Sequence, residues 1–151
     1  MPRKARSHRL RLGRVNEHGR VYLVTAVCAD RYGWFSRFEH GRCCVHALSE
    51  LEGEASTLCF VVMPDHLHWL MQLEAGDLSR VVQKVKGSAT RRIGQLRGRP
   101  CRVWQPSFHD RALRREEDLQ AVARYVVANP LRAGLVSNLG QYPLWDAIWL
   151  E

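Results

Sequence analysis

Between residues 57 and 73 two runs of strand-forming apolar residues are separated only by Pro64-Asp65, and the second run opens His66-Leu67-His68-Trp69. Proline cannot donate to a ladder, so Pro64 marks a turn or kink. The expected unit is a hairpin, 57–63 antiparallel to 66–73. Side chains alternate across a strand. His66 and His68 therefore share one face while Leu67 enters the core from the other. A rigid sheet would thus present two imidazoles side by side.

The rest of the chain supplies what such a hairpin packs against. Residues 20–28 are rich in β-formers and predict a first strand. A turn with Gly33 follows over 30–36, and Cys44, Val45, Leu48 and Leu51 fall at helical spacing within 37–51. Asp77 is a candidate N-cap for a second helix, whose core stripe is Leu78, Val81, Val82, Val85, Ala89 and Ile93. Residues 102–105 and 108–113 read as short strands split by Pro106-Ser107. A third helix is predicted over 116–129, with acids in its first turn and Leu119, Val122, Ala123 and Val126 on its buried side. The order β-α-β-β-α-β-β-α predicts an α+β fold, an antiparallel sheet with helices packed on it, ferredoxin-like or RNA-recognition-motif-like. The expected organisation is a basic arm over 1–18, one domain over 19–136 and a tail over 137–151.

Charge narrows the partners. The chain of 151 residues carries a net charge of +8, concentrated in residues 1–20 and 79–115, while the intervening segments are mildly acidic. Two basic blocks on such a background form a footprint for a polyanion; the alternative is a solvated basic surface. No apolar run is long enough to span a bilayer, so no membrane role is expected. Five cysteines without a spaced framework predict reduced thiols and a cytoplasmic setting.

Two groups of residues bear chemistry. Neutral imidazole nitrogen ligates divalent metals, and two ligands on a strand leave coordination positions open. The alternative is a hydrogen-bonded, inert histidine pair. In Arg124-Tyr125-Val126-Val127-Ala128-Asn129-Pro130, Tyr125 and Asn129 lie one helical turn apart and share a face. A phenol attacks poorly unless assisted. The alternative for Tyr125 is simple packing on the sheet, and for Asn129 a helix terminus before proline.

Taken together, 64–68, Trp104-Gln105-Pro106-Ser107-Phe108-His109-Asp110-Arg111 and the stretch from Ala123 through Asn129-Pro130-Leu131-Arg132-Ala133-Gly134-Leu135-Val136 resemble the single-tyrosine HUH transposases, and among them the REP-associated tyrosine transposases. The resemblance runs from about residue 20 to 136. It implies an endonuclease and strand transferase that uses Mg²⁺ or Mn²⁺ on single-stranded or hairpin DNA. His66 and His68 fall on the metal-binding histidines, and Tyr125 falls on the nucleophile that would form a 5′-phosphotyrosine. Insertion-sequence members have glutamine where this chain has Asn129, as REP-associated relatives tend to, so Asn129 is the candidate third ligand. Many relatives follow Tyr-Pro with Trp-Ser-Ser, whereas here Tyr142-Pro143 leads to Leu144-Trp145-Asp146. Insertion-sequence relatives are dimers and REP-associated ones can act as monomers; a monomer is the expectation here, with a dimer as the alternative.

Lys84, Lys86, Arg91, Arg92, Arg111, Arg114 and Arg115 are the expected phosphate contacts, and Trp104 and Phe108 are candidates either for base stacking or for core. Two rival readings stay open. One is a non-catalytic RNA-recognition-motif-like module that only binds nucleic acid. The other is a metal-dependent hydrolytic nuclease in which water, not Tyr125, attacks.

Overall fold

A computed structural model describes residues 18–149 of the chain. Its elements are β1 (Val21–Val27), α1 (Phe38–Leu48), β2 (Ala55–Met63), β3 (His66–Leu73), α2 (Leu78–Arg97), β4 (His109–Ala112), α3 (Leu119–Val127), the single-turn α4 (Asn129–Arg132) and β5 (Trp145–Ala147). The strands form one antiparallel sheet in the order β4-β1-β3-β2-β5. β1 and β2 run the same way with β3 between them, which is the split βαβ arrangement. The expected α+β architecture is therefore present.

Both faces of the sheet are covered, and strand alternation decides which residue goes to which face. On one face Tyr22, Val24, Ala26, Phe60, Val62, Leu67, Trp69, Met71 and Leu73 pack beneath α1 and the predicted α2 stripe. Trp69 is fully buried, and its indole N–H donates to Thr57 Oγ1 at 2.9 Å, so its burial leaves no donor unpaired. On the other face Cys59, Val61, Met63 and Leu70 meet Ala123, Val126 and Val127 of α3. His66 and His68 alternate with Leu67 and Trp69, so they belong to this second face, under α3.

Local chemistry sets the helix limits. The Asp77 carboxylate accepts from Ser79 N–H at 2.8 Å and starts α2, which ends where Gly98 turns left-handed (φ 74°). Asp118 caps α3 by accepting from Ala121 N–H at 3.1 Å. The third helix is thus shorter than its periodicity predicts. Glu117 lies before it and accepts from Arg114 N–H at 2.6 Å, anchoring the approach rather than the first turn.

The remaining differences are at the short strands. The segment 102–105 makes only an isolated bridge, Trp104 to Cys28, with Gln105 N–H donating to Val27 O at 2.9 Å. Pro106 follows immediately and has no N–H with which to extend that pairing. Trp104 and Phe108 are both buried, so they serve the core and not base stacking. The segment after residue 136 supplies β5, which pairs with β2 through Cys59, Phe60 and Val61. Tyr142 fastens it by donating its hydroxyl to Val62 O at 2.6 Å. Leu144 is buried against Gly41, where any Cβ would fall inside the van der Waals shell of Leu144 Cδ1. Apart from His18, the basic arm lies outside the described residues. Among those described, no helix is long and apolar enough to cross a membrane.

Candidate active site

Three strands and one helical corner meet at the end of the sheet where β2 turns into β3. His66 stands opposite Val27 on β1, and His68 stands opposite Thr25. The two imidazoles meet nearly edge to face, with Nε2 atoms 3.1 Å apart. Each Nδ1 has its own partner. The Asp65 carboxylate lies 2.7 Å from His66 Nδ1, and Thr25 Oγ1 lies 3.0 Å from His68 Nδ1.

These partners determine the tautomers. A carboxylate can only accept, so His66 carries its proton on Nδ1 and presents a bare Nε2. A hydroxyl can donate or accept, so Thr25 suits His68 in either tautomer. Without a cation, His68 Nε2–H donates to His66 Nε2 while Thr25 donates to Nδ1. With Thr25 accepting from Nδ1–H instead, both Nε2 atoms carry a free lone pair. Two nitrogens 3.1 Å apart sit at the spacing of neighbouring ligands on one small divalent ion, whose bonds run about 2.0–2.2 Å. The donor set fits a metal, and the carboxylate–histidine pairing is the arrangement that orients metal-ligating imidazoles.

The electrostatics agree. Burial, with added repulsion from His66 and Arg132, pushes His68 down to about 4, so it is neutral at physiological pH. Burial works against the Asp65 carboxylate, yet the hydrogen bond and charge of His66 and the Arg31 guanidinium hold it below the ordinary range. Arg31 Nε donates to Asp65 Oδ2 at 3.0 Å, completing a chain Arg31–Asp65–His66. Among the described residues, no three His, Cys, Asp or Glu side chains gather as a metal cage. Both histidines are half-buried.

Tyr125 lies on α3, the helix packed over the histidine face, and is 66% exposed. The Arg132 guanidinium stacks on its ring, 3.9 Å from the centroid. The same guanidinium is one of the charges acting on His68. One cation thus stacks on the tyrosine and acts by its charge on His68, and α3 packs on the sheet face to which both histidines belong.

Asn129 follows a break in the helix. Pro130, four residues after Val126, lacks the N–H that a continuing helix would give the Val126 carbonyl. The Asn129 side chain fills that gap, donating Nδ2–H to Val126 O at 2.7 Å. The amide is thereby anchored by its nitrogen, and Oδ1 is the end left to accept. Tyr125 and Asn129 are still one turn apart, because Ala128 N–H continues to bond Arg124 O.

The expected phosphate contacts fall into two groups. Lys84, Arg91 and Arg92 lie on α2, in the layer opposite the histidines, where Lys84 pairs with Glu54 at 2.5 Å and Arg92 with Glu50 at 2.9 Å. Lys86 is turned inward: it is 6% exposed, and its ammonium donates to Gln105 O at 2.8 Å and Ser107 O at 3.2 Å. It holds the 104–108 loop and is closed off from a phosphate. Arg111 stands opposite Leu23 and so faces the histidine side, with Glu117 at 3.0 Å. Arg114 and Arg115 line a cleft of about 580 Å³ with Arg20, Gln72 and Leu119.

Sequence reasoning missed Thr25, Arg31 and Arg132, and for Asp65 it favours shaping the turn over serving as a ligand. Adjacency to His66 was a signal for Asp65. Thr25 and Arg31 carried none, since only the strand register and the following loop bring them there.

An antiparallel α+β sheet with a histidine pair and a helix-borne tyrosine on one face is the class that fold and site define. The profile described as "Transposase IS200 like" matches residues 22–129, and the chain belongs to that family. It is 29% identical over 86 residues to the REP-associated tyrosine transposase of Escherichia coli strain K12, covering 56% of this chain and 49% of that one. The alignment thus spans about half the length of that relative. It is 25% identical over 143 residues to a Haemophilus influenzae protein assigned to the REP-associated tyrosine transposases, covering 83% of this chain and 78% of that one. Its fold is shared with a REP-associated tyrosine transposase solved bound to a REP hairpin: TM-score 0.68, 22% identity, 87% of this chain and 79% of that one covered. A Deinococcus radiodurans protein assigned as a transposase is similar at TM-score 0.51 and 17% identity, covering 72% and 88%.

Proposed function

We propose that this chain is a metal-dependent endonuclease and strand transferase that acts on single-stranded or hairpin DNA through Tyr125. The observation that supports the reading is the histidine pair, its Nε2 atoms 3.1 Å apart on the sheet face that the Tyr125-bearing helix α3 covers, in a member of a transposase family. His66 and His68 would hold Mg²⁺ or Mn²⁺, with Asn129 Oδ1 as a third ligand. When bound, the ion supplies positive charge to the phosphate oxygens as a Lewis acid.

The chain's own residues do the rest. The Tyr125 oxygen attacks phosphorus as its proton leaves. A phosphorus–oxygen bond forms, the bond to the 3′ oxygen breaks, and the products are a 5′-phosphotyrosine and a free 3′-OH. Arg132 lies on the phenol ring, where its N–H groups suit a phosphate. Attack by a 3′-OH on the adduct reverses the step, so strands rejoin without ATP. A hairpin substrate is supported by the relative solved with a REP hairpin. Net charge of +8 supports binding to a polyanion. We place the protein in the cytoplasm, where its five unbridged cysteines stay reduced, and take it to act as a monomer.

The test is to incubate the protein with a labelled hairpin and Mn²⁺, denature, and look for label on the polypeptide. A covalent band that disappears in Tyr125→Phe is expected. A free 5′-phosphate without a band would favour attack by water, and salt-sensitive binding without any product would leave a binding module.

A further inference from the structure

The segment joining β1 to α1 does more than connect them. Asp30 and Arg31 are consecutive non-glycine residues with positive φ, 55° and 50°. Such backbone is sparsely populated and persists where its surroundings over-determine it, often at ligand clamps. Here the surroundings are the active site itself. Cys28 N–H donates to Asp65 O, Phe35 N–H donates to Pro64 O, and Arg31 pairs with Asp65. The strained turn thus seats the loop on the β2–β3 corner and sends the next side chain, Tyr32, outward at 63% exposure. Tyr32 packs edge-on against Trp34, with centroids 5.2 Å apart at 67°. Trp34 in turn lies under the Arg97 guanidinium at 5.0 Å. Arg97 has no carboxylate partner among the described residues, and it closes α2 in the more basic of the two blocks.

We propose that Tyr32, backed by Trp34 and Arg97, is a stacking platform for an unpaired base of the DNA strand that enters or leaves the cleavage pocket. The proposal deepens the function proposed above and rests on it. A flat, exposed π-face braced by a second aromatic suits any base, and the neighbouring guanidinium suits the adjoining phosphate. The platform lies one residue from the Arg31–Asp65–His66 chain. It is therefore within reach of the nucleotides that flank a phosphate held at the histidines. Within a stem each base is stacked on both sides, so the platform favours an unpaired flank over the paired stem.

The test measures affinity of the full chain without divalent metal, so that nothing is cut. The probes are a blunt hairpin, the same hairpin with a four-nucleotide unpaired flank on its 5′ or 3′ side, and the flanked hairpin with abasic sites. Tyr32→Ala is expected to weaken binding of one flanked hairpin by about fivefold or more and to leave the blunt hairpin unchanged. Tyr32→Phe should retain wild-type affinity. Abasic flanks should cost the wild type as much as Tyr32→Ala costs on the intact flank, with no further loss when the two are combined. Equal losses on blunt and flanked hairpins, or none on either, would overturn the platform. Adduct formation by the wild type with Mn²⁺ is scored separately. Its absence would remove the cleavage reading while leaving the flank comparison decided on its own terms.

Discussion

Asp65 stands between a guanidinium and an imidazole, and that position makes it part of the support of the proposed metal site. Its carboxylate fixes the proton of His66 on Nδ1, as the Thr25 hydroxyl can do for His68. Loss of such a partner lowers metal affinity by roughly 10–100-fold. Thr25→Val is thus expected to weaken Mn²⁺ binding in calorimetry by that range while leaving the fold intact; unchanged affinity would exclude Thr25 from the site. Tyr125→Phe should abolish the covalent adduct in a denaturing gel while leaving hairpin affinity within about twofold, because a ring that still stacks under Arg132 keeps its packing. His68 carries a pH dependence whose sign follows from its depressed value of about 4. From pH 6.5 down to about 4 the unfolded chain binds a proton that the folded one refuses, so stability falls as the medium is acidified through that window. Metal-free wild type should lose denaturation midpoint relative to His68→Gln over those pH values, and parallel curves would contradict the assignment. The two histidines were legible as a pair because strand alternation is a local rule. Arg132 stood in the sequence as one more cation near a helix end, and only packing brought it onto Tyr125.

Helix α3 and the turn after it show how an element is shaped for its cargo. Asn129-Pro130 was readable as a helix boundary. Which end of the Asn129 amide would be occupied was not, because it depends on the Val126 carbonyl that Pro130 leaves without a donor. The start of the same helix was misread, since the acids at 116–118 satisfy the dipole rule anywhere in a first turn. Asp118 alone holds the cap, and Asp118→Ala should cost about 1 kcal/mol in chemical denaturation. The final strand was missed altogether. Three residues of Trp145–Ala147 are too short to show alternation, and they become a strand only by pairing with β2. Their attachment depends on Leu144 sitting where Gly41 has no side chain. Gly41→Ala is accordingly expected to destabilise the protein by about 1–3 kcal/mol, measured as a lowered urea midpoint, although alanine alone favours a helix.

Across the whole molecule the sheet separates two tasks. One face is filled by α1 and α2 and carries the larger core. The other is covered by α3, and the histidines at its end are half-buried. The basic residues divide accordingly, and the salt dependence of the proposed DNA binding can tell them apart. Arg115, exposed in the cleft beside Arg20 and Arg114, is expected to lower the salt slope by about one unit when changed to Ala. Lys86→Met should leave the slope unchanged and lower stability, because its ammonium serves the carbonyls of Gln105 and Ser107. A reversed result would place Lys86 at the DNA. By itself the sequence determined the hairpin, the shared face of His66 and His68, the amphipathic helices and the polyanion footprint. Each of these follows from periodicity, turn chemistry or net charge, which act over a few residues or need no geometry at all. Tertiary structure alone decided that Thr25 would meet His68, that Arg31 would reach Asp65, that Arg132 would lie on Tyr125 and that Lys86 would turn inward. Those outcomes depend on strand register and helix docking, which are set by the burial of side chains far apart along the chain.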